Sequence, residues 1–528
     1  MILTVVLIIP LIAAVVCLAP RFRSGAGARW TALAGMTAGL VITVVLFAGY
    51  QADHYALKPQ RWLLETQAPW FPQLGISFHL AADGMSLLFV MLAALLGSMA
   101  VIASWTEIKE SVGFFHFNLL LTLVGVIGVF LAIDLFLFYF FWELMLVPMF
   151  FLILSWGHEN RIYAAVKFFI FTQAGGLFML VSILGLAFTH QHATGVLSFD
   201  YPELIGTYMN GTTATLLLFG FLAAFLVKLP AVPFHTWLPE AHTHAPTGGS
   251  VILAGLLLKT GAYGLIRFAF PIFPDAASRL APYGMILAVA GILYGAVMSF
   301  AQTDLKRLIA YTSVSHMGFV LLGISACNTI ALHGVIIQII CHGIGTGALF
   351  MLAGTLQERI HTRELSRMGG LWAELPRMGG LWLFFALAAL GLPGLGNFLG
   401  EFLVLLGSFA VSIAAAAIAA TGFIFATVYA LWMLWQVSFG PRRTTGDIAD
   451  LSVREMLPLV VAVGLLIWIG LFPQSVIRTA RQGLETLKAT IEWHTPTRRS
   501  IGAPDKGMVD LKTQTAPKGL SGGYDGKP

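Results

Sequence analysis

Val227–Trp237 reads VKLPAVPFHTW, and Leu390–Phe402 reads LGLPGLGNFLGEF. In each, an apolar run is interrupted by Leu-Pro beside a charge, Lys228 in the first and Glu401 in the second. Proline removes a backbone donor and breaks the helical ladder. Carbonyls freed at membrane depth are tolerated only where protein buries them or a hydrated cavity receives them. The two breaks match as LP-x3-F and LP-x4-F, at Leu229/Pro230 and Leu392/Pro393, 163 residues apart. Matched broken segments in two halves of a chain point to an inverted-repeat transporter with a site near the midplane.

The composition supplies the surrounding membrane. Of 528 residues, 58% are apolar and only 10% charged, against about 25% charged in soluble domains; mean hydropathy is +0.84. A soluble chain of this length needs several charged exteriors, and there is nothing here to build them from. A span takes about 20 mostly apolar residues. Fourteen runs qualify, at 2–19, 30–50, 83–104, 113–132, 135–154, 166–188, 213–230, 248–270, 283–302, 308–325, 331–354, 379–405, 411–438 and 456–474. The ten-residue alternation of a membrane barrel is absent. The expected fold is an all-α polytopic bundle of about fourteen transmembrane helices, with two inverted five-helix repeats, each containing a broken helix.

Basic residues set the orientation. Alternating the loops from Arg21, Arg23 and Arg29 places fifteen Lys/Arg on one side and four, Lys58, Arg61, Arg267 and Arg279, on the other. By the positive-inside rule the first side is cytoplasmic, so both termini are expected outside. The N-terminus has its arginines after the apolar run, as a retained span does rather than a signal peptide. Residues 51–82 read as the longest internal polar loop, and 495–528 as a polar, flexible tail. A net charge of +5 distributed between apolar runs is a topology signal, not a nucleic-acid face. Cys17, Cys327 and Cys341 lack the spacing of a cluster, haem or disulfide site. Gly394–Gly400 is not a dinucleotide fingerprint, because it follows a helix and lacks GxGxxG.

Glu143, Lys228, Lys259 and Glu401 fall inside runs. A charge at the bilayer centre costs about 2.5–3.5 kcal/mol on insertion scales, so all four are expected to face protein, water or one another. Inert ion pairs would make the chain a structural scaffold; four such groups beside two helix breaks favour a proton or ion pathway. Histidine, with an ordinary pKa near 6.5, suits the middle of such a path. His316 and His342 are central in their runs. His333, nine residues before His342, is about 180° away on the same helix and cannot share its face. His235, His242 and His244 lack an i, i+4 histidine pair or a cysteine, and no metal is expected there.

Four blocks then carry a resemblance: FFWELMLVPMFFLI (140–153), VKLPAVPFHTWLPEAHTHAPTGGSVILAGLLLKTGAYGLIRF (227–268), DLKRLIAYTSVSHMGF (304–319) and GNFLGEFL (396–403). They closely resemble the antiporter-like subunits of respiratory complex I, the proton-translocating NADH:quinone oxidoreductase, over most of residues 83–440. The resemblance implies helices 1–3 within 1–112, one repeat at 113–270, a second at 283–438, each holding half of a proton channel, and a last helix at 456–474. Matched by position, Glu143 is the fifth-helix glutamate, Lys228 the lysine of the broken seventh helix and Lys259 the connecting lysine of the eighth. His316 and His342 fall on the central hydrophilic axis, and Glu401 is the exit glutamate of the twelfth helix. Chains L and N of the family carry lysine at that last position, which sets this chain apart from them. The resemblance also implies that NADH, flavin, iron–sulfur clusters and quinone sit in partner subunits, with no cofactor and no metal in this chain. Its partners would be other membrane-arm subunits, related antiporter-like chains among them, and the lipid of a bacterial inner membrane, with no nucleic acid. The nearest alternative is a subunit of a multi-subunit sodium/proton antiporter or membrane-bound hydrogenase.

Overall fold

A computed structural model describes residues 2–19, 25–51, 62–441, 443 and 448–494; the expected tail at 495–528, and Arg21, Arg23, Lys58, Arg61 and Arg442 from the charge count, lie outside them. Among the described residues, twelve helices are long and apolar enough to cross a membrane, and two shorter apolar ones, Ile2–Cys17 and Gly396–Phe409, accompany them. The helices differ sharply in burial. The apolar windows of Thr247–Ile272, Leu305–Ala326 and Thr329–Ile360 are 100% buried, whereas those of Pro274–Phe300 and Val453–Leu471 are only 33% buried. A helix apolar all round suits either protein core or lipid, and here the polar-bearing ones take the core. Lys259, His316 and His342 ride on those three central helices.

Both breaks form where the prolines place them. Gly211–Lys228 stops at the lysine, and helix resumes at Trp237–His244. Ala231 N donates to Leu226 O at 2.9 Å across the break, a wide five-residue turn. The buried Trp237 indole donates to Val227 O at 2.9 Å, filling a carbonyl that the break frees. In the second half, the run expected at 379–405 divides into Pro376–Ala389 and Gly396–Phe409. There Leu392 N reaches Leu387 O, again five residues back, at 3.1 Å. The chain turns through Gly391 (φ 78°) and Gly394 (φ 95°), conformations that cost side-chain-bearing residues dearly.

Two segments differ from the sequence reading. The stretch read as a loop at 51–82 holds a β-hairpin, β1 (Leu64–Phe71) paired antiparallel with β2 (Ile76–Ala82). Isolated hairpins are marginal in water, so this one is held from outside. Ile133 N donates to His79 O at 3.0 Å, and Ser77 N to Asp134 Oδ2 at 2.9 Å. The chain also does not end its order at the last apolar run, because a helix, Gln474–His494, follows. Val476, Ala480 and Leu484 form its buried stripe, with arginines at 478 and 481 between them. An amphipathic period of this kind falls below any search for continuous apolar runs. It packs on Gly84–Ala103 and Thr329–Ile360.

Candidate functional site

Glu143 and Lys228 sit on one flank. Glu143, near the C-terminal end of helix Leu135–Leu144, presses its carboxylate on Gly176 of helix Arg161–Thr194, where a Cβ would collide with Oε1. That Oε1 is buried without a hydrogen-bond partner. Lys228 is 1% exposed. Its Nζ also has no hydrogen-bond partner, and lies 5.5 Å from the Trp142 ring centroid and 5.4 Å from that of Phe168. Aromatic faces stabilise a desolvated ammonium by about 2 kcal/mol. Glu143 and Lys228 lie within electrostatic range of each other but share no hydrogen bond.

The central helices carry a second, tighter set. Lys259 is fully buried in a helix that widens into π-turns at Leu253–Leu257 and Leu265–Ala269. Such turns open the backbone ladder, and Lys259 Nζ donates to Ala254 O, which belongs to the first of them. The same Nζ donates to His342 Nδ1 at 2.7 Å. The His342 ring lies 5.4 Å, centroid to centroid, from that of His316. His316 Nδ1–H donates to Glu401 Oε1 at 2.6 Å, and its Nε2 accepts from the Tyr429 hydroxyl at 3.1 Å. Gln338 Nε2 donates to the same Glu401 oxygen at 2.7 Å. Glu401 reaches this position because Gly334, Gly400 and Gly407 let helices Thr329–Ile360 and Gly396–Phe409 meet backbone to backbone. Small residues permit such approach in membrane bundles.

Of the six residues singled out in the sequence, Lys259, His342, His316 and Glu401 therefore form one buried run. Lys228 joins it only through the backbone, its Cβ standing against Gly261, two residues beyond Lys259. His333 is half-buried and lies within electrostatic range of Arg481 and Glu485, apart from His342 as the helical phase requires. The sequence spacing of His242 suggests only a poor metal ligand. His242 stacks on Phe350 at 4.6 Å, wholly buried, within electrostatic range of Lys259 and Lys306. Among the described residues no cluster of three or more His, Cys, Asp or Glu could hold a metal ion.

Five further residues are not singled out by the sequence. Gln338 precedes His342 by one helical turn, a spacing that could have revealed it; Tyr429, 113 residues from His316, carries no such signal. Arg267, counted with the loop charges, is buried and paired with Asp83 at 2.5 Å. Lys306, one of the fifteen basic residues counted on the cytoplasmic side, is wholly buried. Glu107 accepts twice from Thr247 N, at 3.0 and 2.9 Å, and so caps the start of the helix that bears Lys259.

Comparison with known proteins gives one consistent set. Residues 132–427 match the family described as NADH:quinone oxidoreductase/Mrp antiporter, TM. The chain is 52% identical to NADH-quinone oxidoreductase subunit M of Pseudomonas aeruginosa, over 90% of this chain and 95% of that one. It is 50% identical to the subunit of the same name in Escherichia coli, over 92% of this chain and 98% of that one. Among solved structures it is similar to a chain of Thermus thermophilus respiratory complex I with bound NADH, with a TM-score of 0.82 at 30% identity, covering 93% and 99% of the two chains. A chain of the Mrp complex from a Dietzia species shares the fold, with a TM-score of 0.81 at 21% identity over 93% and 98%.

Proposed function

This chain belongs to the NADH:quinone oxidoreductase/Mrp antiporter membrane family, and from that premise we propose that it is a proton-translocating membrane-arm subunit of NADH:quinone oxidoreductase, the counterpart of subunit M. The electron carriers, flavin and iron–sulfur clusters, with NADH and quinone, belong to partner subunits in this reading, and this chain performs no redox step. It works beside other membrane-arm subunits in a bacterial inner membrane. The 50–52% identity to two subunits M favours this over a sodium/proton antiporter or hydrogenase subunit; the Mrp complex chain, at 21% identity, is alike in fold alone.

The observation that carries the proposal is the run Lys259–His342–His316–Glu401. Each member can bind and release a proton, and successive hydrogen bonds of 2.7 and 2.6 Å bracket the two imidazoles. Lys259 passes a proton to His342 Nδ1 as His342 releases one from Nε2. The rings are close enough for a single water to bridge them. The arriving proton enters His316 at Nε2, displacing the Tyr429 hydroxyl, as Nδ1 releases its proton to Glu401; between transfers Tyr429 donates to Nε2 and so keeps Nδ1 the protonated nitrogen. Tautomer control by the second ring nitrogen is the general device by which imidazole relays gain direction. Glu143 and Lys228 supply the input: their charge states depend on each other, so the pair titrates as a unit. A change reaching Glu143 from a neighbouring subunit alters the protonation of Lys228, and through Gly261 the position of the Lys259 helix.

The test replaces Glu143→Gln and Lys228→Ala, with NADH-driven proton uptake into sealed vesicles measured per assembled complex. Proton uptake and NADH oxidation are expected to fall together. A fault in assembly alone, with normal pumping per assembled complex, returns both residues to a scaffold role.

A further inference from the structure

Away from the buried axis, a crevice of about 610 Å³ opens between helices Arg161–Thr194, Gly211–Lys228 and Pro274–Phe300. Its wall is almost wholly apolar, and Phe178, Phe219 and Tyr283 on its rim are more than half exposed. Along Gly211–Lys228 and Pro274–Phe300, toward the start of each, the apolar wall gives way to a smaller, more open hollow of about 430 Å³ with polar groups in its lining. This is lined by Thr212, Thr215 and the exposed Arg279. Arg279 donates weakly to Thr215 Oγ1, at 3.3 Å, and to Gly211 O, at 3.5 Å. It has no acidic partner among the described residues. A second apolar crevice, of about 770 Å³, undercuts the other flank of Pro274–Phe300 and shares Phe270, Ala277, Ala281 and Ser325 with the first.

We infer that this groove is a binding site for an anionic, two-chain phospholipid, its phosphodiester on Arg279 and the Thr212 hydroxyl, its acyl chains in the crevices on either side of helix Pro274–Phe300; the Thr215 hydroxyl, which donates to Gly211 O at 2.7 Å, helps to seat Arg279 instead. Charge complementarity selects the head group. A guanidinium with spare donors at a membrane-exposed helix end recognises phosphate, often with two parallel bonds. The paired apolar crevices select a diacyl lipid over a single protein helix, which would fill one continuous groove. Position gives the site a consequence. Leu226, Val227 and Phe234 of the first crevice flank Lys228 and the break after it, and Leu265 begins the second π-turn of the Lys259 helix. An acyl chain there closes the lipid-facing side of the broken segment against water.

The site is tested on the purified, assembled complex, stripped by detergent and reconstituted with phosphatidylglycerol or with zwitterionic phosphatidylethanolamine. Bound lipid is counted by native mass spectrometry for wild type, Arg279→Ala and Leu222→Trp, the last of which fills the first crevice. Lys109→Ala serves as a distant basic control. Wild type and the control are expected to retain one more tightly held phosphatidylglycerol than either groove variant, with retention weakened about tenfold by loss of the charged contact. A photoreactive phenylalanine analogue at Tyr283 is expected to cross-link to acyl chain. Equal retention in all four proteins overturns the site, as does equal preference for the zwitterionic lipid. Cross-linking of position 283 to a neighbouring subunit instead assigns the groove to protein and also overturns it. These readouts do not depend on pumping, so the site and the proton axis stand or fall separately.

Discussion

Lys259 Nζ lies 2.7 Å from His342 Nδ1, joining two helices across 83 residues of sequence. Both groups are fully buried, so neither can find bulk water if the other is removed. Leaving a buried polar group unpaired costs about 1–3 kcal/mol, more for a charge. His342→Ala is expected to lower pumping on the order of tenfold or more. His342→Gln can still accept from Lys259 but cannot relay a proton, and is expected to restore assembly without restoring pumping. Equal recovery of both in the glutamine variant would assign His342 a packing role only.

At the far end, His316 touches two groups of different importance. Glu401 takes the proton in the proposed path, whereas Tyr429 only fixes the ring tautomer through a 3.1 Å bond. Glu401→Gln is expected to abolish most proton translocation. Tyr429→Phe removes one neutral hydrogen bond, worth about 0.5–1.5 kcal/mol, and is expected to slow turnover only a few-fold. Vesicle pumping assays on the two variants check the order; a phenylalanine variant as damaged as the glutamine variant contradicts it.

Gly176 offers a test that changes no charge. Its missing side chain is the space that Glu143 Oε1 occupies. Gly176→Ala is therefore expected to push the carboxylate away from its seat and to mimic much of the Glu143→Gln defect at normal assembly. Gly185, on the same helix, meets only the end of the Leu217 side chain, and Gly185→Ala is expected to be mild. Pumping per assembled complex separates the two.

The β-hairpin carries its own pH dependence. His79 Nδ1 is 2.7 Å from Asp200 Oδ1 and Nε2 is 2.9 Å from Glu65 Oε1. Burial opposes its charge, but the bonds and charges of Asp200 and Glu65 outweigh it and hold the imidazolium above the ordinary pKa of 6.5. A raised histidine pKa stabilises the folded form fully below the unfolded value, and that stabilisation is lost as pH rises through the folded value. Hairpin amides, corrected for intrinsic exchange rates, are therefore expected to lose protection as pH climbs above about 6.5. In His79→Gln this step is expected to vanish, and hydrogen exchange of residues 64–82 measures it. The share due to Glu65 is the weaker one, since that carboxylate is half exposed and screened by solvent.

The legible parts of this molecule are those that lipid makes costly. Lys228, Lys259 and Glu401 stood out because a charge in an apolar run needs a reason, and Pro230 and Pro393 because a broken ladder in lipid needs one too. His342 was separable from His333 by helical phase alone. What stayed hidden depends on three-dimensional contact or on a weaker period. Tyr429 looks like any membrane tyrosine until His316 is placed beside it. The hairpin lies inside a polar stretch whose two-residue alternation is short and partly outward-facing, and Gln474–His494 interleaves exposed arginines with its apolar positions. Arg267 and Lys306 resemble loop charges in the sequence because they stand near the ends of their runs, and only packing shows that both are buried.

The central claim is that protons cross through the buried run from Lys259 to Glu401. Its most direct test is NADH-driven proton translocation by the assembled complex in sealed vesicles, comparing wild type with Lys259→Met, which keeps the side chain's bulk and removes its titratable group. Loss of most proton translocation per assembled complex, with a matching fall in NADH oxidation, is the result that a working axis requires. Wild-type translocation in that variant, at normal assembly, would contradict it.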